Sequence, residues 1–299
     1  MAGVISLGEC MVELSLTGPG SALVGSAGDT FNTAVYLQRL GLPTAYGTAL
    51  GAGDPFSRAI LARMADEGMD TSLVVQAEGR VPGLYAIERA PNGERSFYYW
   101  RGEAPARDYF ELVDLEKLKA AMLIYVSAIT LAIVGEAGRG VLTPLLRTAA
   151  EAGVEVACDT NCRARLWPSA DVARAAIEAA IATSRYLSMS TADVAAFGGG
   201  DAEAFARAWS AKGVEVVLRH NDHRIVVLTE GRAEGFAPEH AVPVVDTTGA
   251  GDSFNAGYLA ARLKGRGIGE AVGEARRLAA VVVQHPGAII PRAAMPDLA

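Results

Sequence analysis

Two glycines, three hydroxyls and two carboxylates stand together in Asp246-Thr247-Thr248-Gly249-Ala250-Gly251-Asp252-Ser253-Phe254. Glycines let a backbone approach a ligand closely, and the first N–H groups of a following helix have no acceptor within it. Together with the helix dipole they make a site for an anion such as a phosphate. A carboxylate beside such a site repels the anion unless it has a task. For Asp252 that task is to accept a proton from a hydroxyl attacking a phosphoryl group, or simply to cap the helix. No Lys-Ser/Thr pair follows the glycines, so the segment is not a P-loop, and its spacing is not that of a dinucleotide fingerprint.

Other clusters have the composition of binding loops. Gly28-Asp29-Thr30-Phe31-Asn32 opens a helix with groups that can cap it or hold hydroxyls. Cys158-Asp159-Thr160-Asn161-Cys162-Arg163 ends in a guanidinium that can grip a carboxylate or phosphate bidentately, or form a structural ion pair. Between them, 95–101 gathers aromatics. On a strand, Phe97, Tyr99 and Arg101 share one face while Tyr98 and Trp100 share the other. Such a sheet suits a lid over a polar anionic ligand, with the second face free for a homo-oligomer interface.

Positioning these groups requires strands and helices in alternation. Buried or half-exposed strands are expected at 4–7, 8–14, 46–51, 83–88, 123–127, 154–157, 186–189 and 214–218, with an antiparallel partner at 225–228. Helices are expected at 33–40, 54–68, 143–152, 172–182, 190–197, 202–212 and 271–284. The glycine motif sits where a β-branched strand at 241–245 feeds a helix at 254–263, and Asn92-Gly93 signals a hairpin turn. The pattern reads as a three-layer α/β fold with a mostly parallel sheet. The clusters at 28–32, 159–163, 190–193 and 246–252 all fall at strands' carboxyl ends, where such sheets bind ligands.

Composition narrows the function classes. The 299 residues are 51% apolar, enough for one large core, and the net charge is −7 with a pI near 5.2. That charge argues against nucleic acid or an anionic membrane as partner. No apolar run is long enough to span a bilayer and no basic leader precedes 4–7, so a cytoplasmic protein is expected. Cys10, Cys158 and Cys162 are too few and too irregular for a disulfide framework or zinc site.

The glycine motif resembles the C-terminal signature of the ribokinase-like (PfkB) sugar kinases, Asp-Thr-x-Gly-Ala-Gly-Asp-x-Phe, and keeps its fixed positions. Further strings are similar to the 2-keto-3-deoxygluconate kinases within that group. They are Gly8-Glu9-Cys10-Met11-Val12-Glu13-Leu14-Ser15, the run from Gly28 to Tyr36, Pro82-Gly83-Leu84-Tyr85, the lid run from Gly93 to Arg101, Arg163-Ala164-Arg165-Leu166-Trp167-Pro168, and Gly287 to Arg292. The resemblance implies a single ribokinase-like domain over 1–299, with a small β-sheet lid inserted from about 8–16 and 75–104. It implies ATP-dependent phosphorylation of the 6-hydroxyl of 2-dehydro-3-deoxy-D-gluconate, with Mg²⁺, and allows a monovalent cation. By position, Gly28, Asp29, Asn32, Tyr85, Tyr99, Arg101, Arg163 and Asp252 would meet the sugar acid. Asn161, Arg163, Ser190, Arg219, Gly249, Ala250, Gly251 and Asp252 would meet ATP, with Asp252 as the base. An ordinary aspartate, with a pKa of about 3.9, is a weak base. It suffices if proton transfer follows P–O bond formation.

Two stretches depart from the pattern. The usual Asn-x-x-Glu is Ser190-Thr191-Ala192-Asp193, so Asp193 would serve Mg²⁺ through water on a shorter arm. The usual Lys/Arg-x-Gly-x-x-Gly turn is Arg219-His220-Asn221-Asp222-His223-Arg224, where asparagine can adopt the left-handed conformation a glycine serves. The same chemistry on 2-dehydro-3-deoxygalactonate, fructose or ribose stays open. So does a sugar-acid sensor weakened at that turn, although sensing needs no base at Asp252.

Overall fold

The computed structural model describes residues 3–89, 95–119, 121–239 and 241–298. Its strands are β1 (Val4–Leu7), β2 (Met11–Gly18), β3 (Ser21–Ala27), β4 (Thr44–Gly51), β5 (Val74–Ala77), β6 (Leu84–Arg89), β7 (Arg95–Trp100), β8 (Leu123–Ser127), β9 (Glu155–Asp159), β10 (Tyr186–Ser190), β11 (Glu215–Arg219), β12 (Ile225–Thr229) and β13 (Arg232–Phe236). Nine of them form one sheet in the order β13-β12-β11-β10-β9-β8-β1-β4-β5. From β11 to β5 the pairs are parallel, and β12 and β13 add antiparallel at one edge. The chain runs from β1 outward to β4 and β5, then returns to lay β8 on the other side of β1. That reversal opens a crevice at the strands' carboxyl ends.

Period-two alternation decides which helices cover which face. Ile5, Leu7, Ile124, Val126, Val156, Leu187, Met189, Val216 and Leu218 pack in one core with residues of the helices Gly135–Glu151, Ala170–Ile181 and Ala202–Ser210. Val4, Leu123, Tyr125, Ala157 and Tyr186 point the other way. There they meet α1 (Asp29–Arg39), α2 (Ala250–Leu263) and α3 (Ile268–Val282). The three-layer α/β reading is therefore the observed one.

A separate four-stranded sheet, β3-β2-β6-β7, forms the lid. Its outer pairs are antiparallel and its middle pair, β2 with β6, is parallel. Met11, Ala27, Tyr85 and Ile87 pack on its inner face with Phe97 and Tyr99. Tyr98 and Trp100 face solvent, 47% and 61% exposed, as the alternation requires. Strand β3 lies outside the expected lid limits, because Ser21 to Ala27 is built mainly of small residues with no strand signal. The Asn92-Gly93 turn lies outside the described residues.

Helix α2 starts at Ala250 rather than 254, and two further boundaries differ from expectation. Residues 241–245 are not a strand; Pro243 lacks an N–H, and Val244 and Val245 are exposed. The segment is instead tied to the end of α3, where the N–H groups of Val245 and Asp246 both donate to the Val283 carbonyl. Helix α1 begins at Asp29 rather than 33. A fourth difference, the start of the Gly135–Glu151 helix ahead of 143, arose because Pro144 reads as a breaker yet lies inside it.

Helices α2 and α3 cross at Gly257, where a Cβ would stand 2.8 Å from the Ala275 Cα. Gly257→Val is expected to cost about 1–3 kcal/mol through overpacking. A urea unfolding midpoint equal to that of the wild type would disprove this.

Candidate active site

The glycine motif is shaped by Asp246. This buried side chain accepts from the Thr248 N–H at 2.8 Å and from the Gly287 N–H at 3.1 Å, pinning the turn to the C-terminal segment. Gly249 then takes φ 76°, and a Cβ there would lie 2.6 Å from the Ala288 carbonyl oxygen. Only glycine suits both demands. Helix α2 starts at the next residue, with Asp252 in its first turn.

Asp252 does not cap that turn. Its Oδ2 accepts a 2.7 Å hydrogen bond from Asn32 Nδ2 on α1. Nor does Asp29 cap α1, whose N-cap Gly28 has no side-chain partner. Asp29 Oδ2 accepts instead from Asn161 Nδ2 at 2.9 Å. The first turns of both helices thus converge on one cleft, each with a carboxylate held by an amide from elsewhere. Asp252 keeps some exposed surface, but its carboxyl is ringed by protein. That loss of hydration pushes it up to about 8, with the Asp29 charge adding to the rise and the Asn32 hydrogen bond opposing it. Asp252 is therefore a stronger base than the ordinary aspartate assumed from sequence.

The cleft has a volume of about 580 Å³. Gly28, Asp29, Asn32, Tyr85, Tyr99, Arg101, Asn161, Arg163, Ser190, Asp193, Arg219, Gly249, Ala250, Gly251 and Asp252 all line it. The sequence-predicted residues are thus brought together without exception. Arg101, however, is committed to buried Glu9 in an ion pair. The Tyr85 hydroxyl donates to Glu13 beneath the lid, while its ring stacks on Tyr99 at 5.6 Å. Arg219 pairs with buried Asp159 at 3.3 Å and donates to the Gly251 carbonyl. Burial raises Asp159 to about 6, with Arg219 holding it down.

Asp193 is also engaged. Its Oδ1 accepts from the Cys162 N–H, and its Oδ2 from Ser190 and Thr160 hydroxyls. Arg163 stands 3.9 Å away. Among the described residues no group of three or more acidic, histidine or cysteine side chains could hold a metal. Mg²⁺ fits here only as an ion carried by phosphates. The Arg219 to Arg224 turn closes tightly, with the His220 N–H on the Arg224 carbonyl and the His223 N–H on the His220 carbonyl. Its left-handed residue is His223, φ 65°, rather than Asn221.

Sequence reasoning missed Glu9, Arg165 and Asn255. Glu9 was legible as an acid entering a buried strand. Arg165 was legible as the second arginine of Arg163-Ala164-Arg165. Asn255, which bridges Asp159, Ser188 and Arg219 below the cleft, left no signal.

Residues 1–295 match the pfkB family of carbohydrate kinases. The chain belongs to this family. As a carbohydrate kinase it is 39% identical over 303 aligned positions to a 2-dehydro-3-deoxygluconokinase of Dickeya dadantii, covering 97% of each chain. The 2-dehydro-3-deoxygluconokinase structure from Thermotoga maritima superposes with a TM-score of 0.86 at 24% identity, covering 97% of this chain and 96% of that one. A putative ribokinase II from E. coli, solved with ATP and Mg²⁺, superposes at 0.85 with 20% identity, over 97% and 95% of the chains. At these identities the two structures establish the kinase fold.

The raised Asp252 has a stability consequence. A carboxyl whose folded pKa lies near 8, against about 4 unfolded, withdraws stability progressively as pH rises between those values. Asp252→Asn should therefore melt like the wild type near pH 4–5 and several degrees higher at pH 8–9. A melting difference that does not change with pH would contradict the assignment.

Proposed function

We propose that this carbohydrate kinase transfers the γ-phosphoryl group of ATP to the 6-hydroxyl of 2-dehydro-3-deoxy-D-gluconate. The observation that carries the reading is the Asp252 carboxylate at the start of α2, held by Asn32 beside the Gly249-Ala250-Gly251 turn. The name shared by relatives such as the Dickeya dadantii kinase supports the choice of sugar acid. We read the chain as one domain over 1–299, with a lid that takes in β3 as well as the stretches 8–16 and 75–104, and, with ATP as donor, as cytoplasmic.

In this reading Gly28, Asp29 and Asn32 meet the sugar's hydroxyls, and Tyr85, Tyr99 and Arg101 reach it from the lid. Asp252 accepts the proton of the 6-hydroxyl as its oxygen attacks phosphorus. Asn32 keeps the carboxylate aimed during that transfer. The N–H groups of Gly249, Ala250 and Gly251 stabilise the charge on the transferring phosphoryl group. Asn161, Arg163, Ser190 and Arg219 would hold the nucleotide's phosphates, and Asp193 would serve Mg²⁺ through water. That ion would neutralise charge on the phosphates.

The test is ADP release with Mg-ATP across sugar acids and neutral sugars, including the galactonate epimer, fructose and ribose, with and without K⁺. The gluconate-type acid should be the best substrate, and Asp252→Asn should reduce kcat by roughly 10²–10⁴-fold. Because the base must be ionised, kcat/KM should rise from pH 6 through a midpoint near 8 and level off only above it. A flat profile, or a variant with near-normal turnover, would remove Asp252 from the role.

The outer lid face supports a homo-oligomer, since Leu16, Val24, Tyr98 and Trp100 are all exposed there. Trp100→Glu should shift light-scattering mass towards the monomer. A wild type that is already monomeric at micromolar concentration would exclude the interface.

A further inference from the structure

The ion pair of Asp159 and Arg219 beneath the glycine turn is completed by a third side chain that the proposed mechanism does not use. Asn255 lies in the second turn of α2, three residues after Asp252, and is 2% exposed. Its Nδ2 donates to Asp159 Oδ2 at 2.8 Å and to the Tyr125 hydroxyl at 3.1 Å. Its Oδ1 accepts from the Ser188 hydroxyl at 2.6 Å and from Arg219 Nη1 at 3.3 Å. All the hydrogen-bonding positions of the amide are filled, and that network fixes which end is nitrogen. The partners stand on β8, β9, β10 and β11, so one side chain ties the start of α2 to four neighbouring strands. Aspartate in its place would have no donor for Asp159 and would set a second carboxylate against it.

Arg219 shows what the amide controls. Its Nη2 donates to Asp159 Oδ1, and its Nη1 is shared between the Gly251 carbonyl and Asn255 Oδ1, each at 3.3 Å. None of the three is short, so the guanidinium is placed by their sum rather than by one dominant bond. A Cβ at Gly251 would stand 3.1 Å from Nη1, so the turn has room for the group only because it carries glycine there. Among the described residues Nε and the second hydrogen of Nη2 have no acceptor, on a side chain that lines the cleft. Those donors are left for an anion. Asn255 holds the pair from both sides, its carbonyl on the guanidinium and its amide N–H on the carboxylate.

We propose that Asn255 is a positioning residue that keeps Arg219 and Asp159 in register beneath the glycine turn, so that Arg219 meets the phosphates of ATP. This rests on the reading above in which Arg219 binds those phosphates, and it does not depend on which sugar is phosphorylated.

The experiment is calorimetric titration with the non-hydrolysable ATP analogue AMP-PNP and Mg²⁺, and separately with 2-dehydro-3-deoxygluconate. The proteins are wild type, Asn255→Ala, Arg219→Gln and the double variant. Asn255→Ala should weaken the analogue by roughly 10-fold and leave binding of the sugar acid unchanged. In the Arg219→Gln background the same substitution should make no further difference. Ser188→Ala strips one donor from the amide and carries the test if Asn255→Ala does not fold. It should show a smaller loss with the same dependence on Arg219. Equal losses with and without Arg219 would make Asn255 a packing residue of α2 and overturn the inference. So would unchanged affinity for the analogue in Asn255→Ala. An Arg219→Gln variant that binds the analogue as tightly as the wild type would remove Arg219 from the phosphates, and this inference with it. Failure of the sugar-acid reading alone would look different, as wild-type turnover on another sugar with the expected analogue affinities intact.

Discussion

The hydrogen bond from Asn32 to Asp252 joins the first turns of two helices whose residues stand 220 positions apart. Helix amino ends carry partial positive charge, so two of them facing one cleft repel each other. Here each end carries a carboxylate in its first turn, Asp29 on α1 and Asp252 on α2. The Asp29 carboxylate offsets that repulsion, and Asp252, pushed up to about 8, adds to the offset only as it ionises. Thr33 reinforces the junction by donating to the Asp252 carbonyl at 3.3 Å. Everything else in the site is arranged around that convergence.

The same arrangement sets function against stability. Burial raises Asp159 and Asp252 above the ordinary carboxylate range, so ionising them in the folded chain costs free energy. The surrounding arginines and amides limit that cost. Glu9 and Arg101 extend the pattern to the lid, where the Glu9 Oε1 and Arg101 Nε atoms are buried without hydrogen-bond partners. Both residues line the cleft, where such local cost is tolerated if it positions chemistry.

Much of this was readable from local pattern. The parallel sheet followed from alternating strand and helix units, and the cleft residues followed from polar clusters at strand ends. What escaped depended on long-range partners. Whether Asp29 and Asp252 cap their helices or face a ligand depends on Asn161 and Asn32, which only the tertiary fold supplies. Residues 241–245 had strand composition, but the chain laid them along the end of α3 rather than on a sheet edge. At the altered turn, His223 adopts the left-handed conformation that residue type would have assigned to Asn221. Propensity ranks residues there, while closure of the turn between β11 and β12 selects the position.

The lid's topology has a mechanical meaning. A flap on one hinge swings freely, but this sheet is sewn to the core by several passes of the chain, from β1 into β2, β3 into α1, β5 into β6, and out of β7. Between β3 and α1 there is a single residue, Gly28, wedged so closely against the Glu9 carbonyl that a Cβ would stand 2.1 Å away. So many connections give the plate no single hinge to pivot on. A displacement of β3 would pass through Gly28 into the first turn of α1, which carries Asp29 and Asn32.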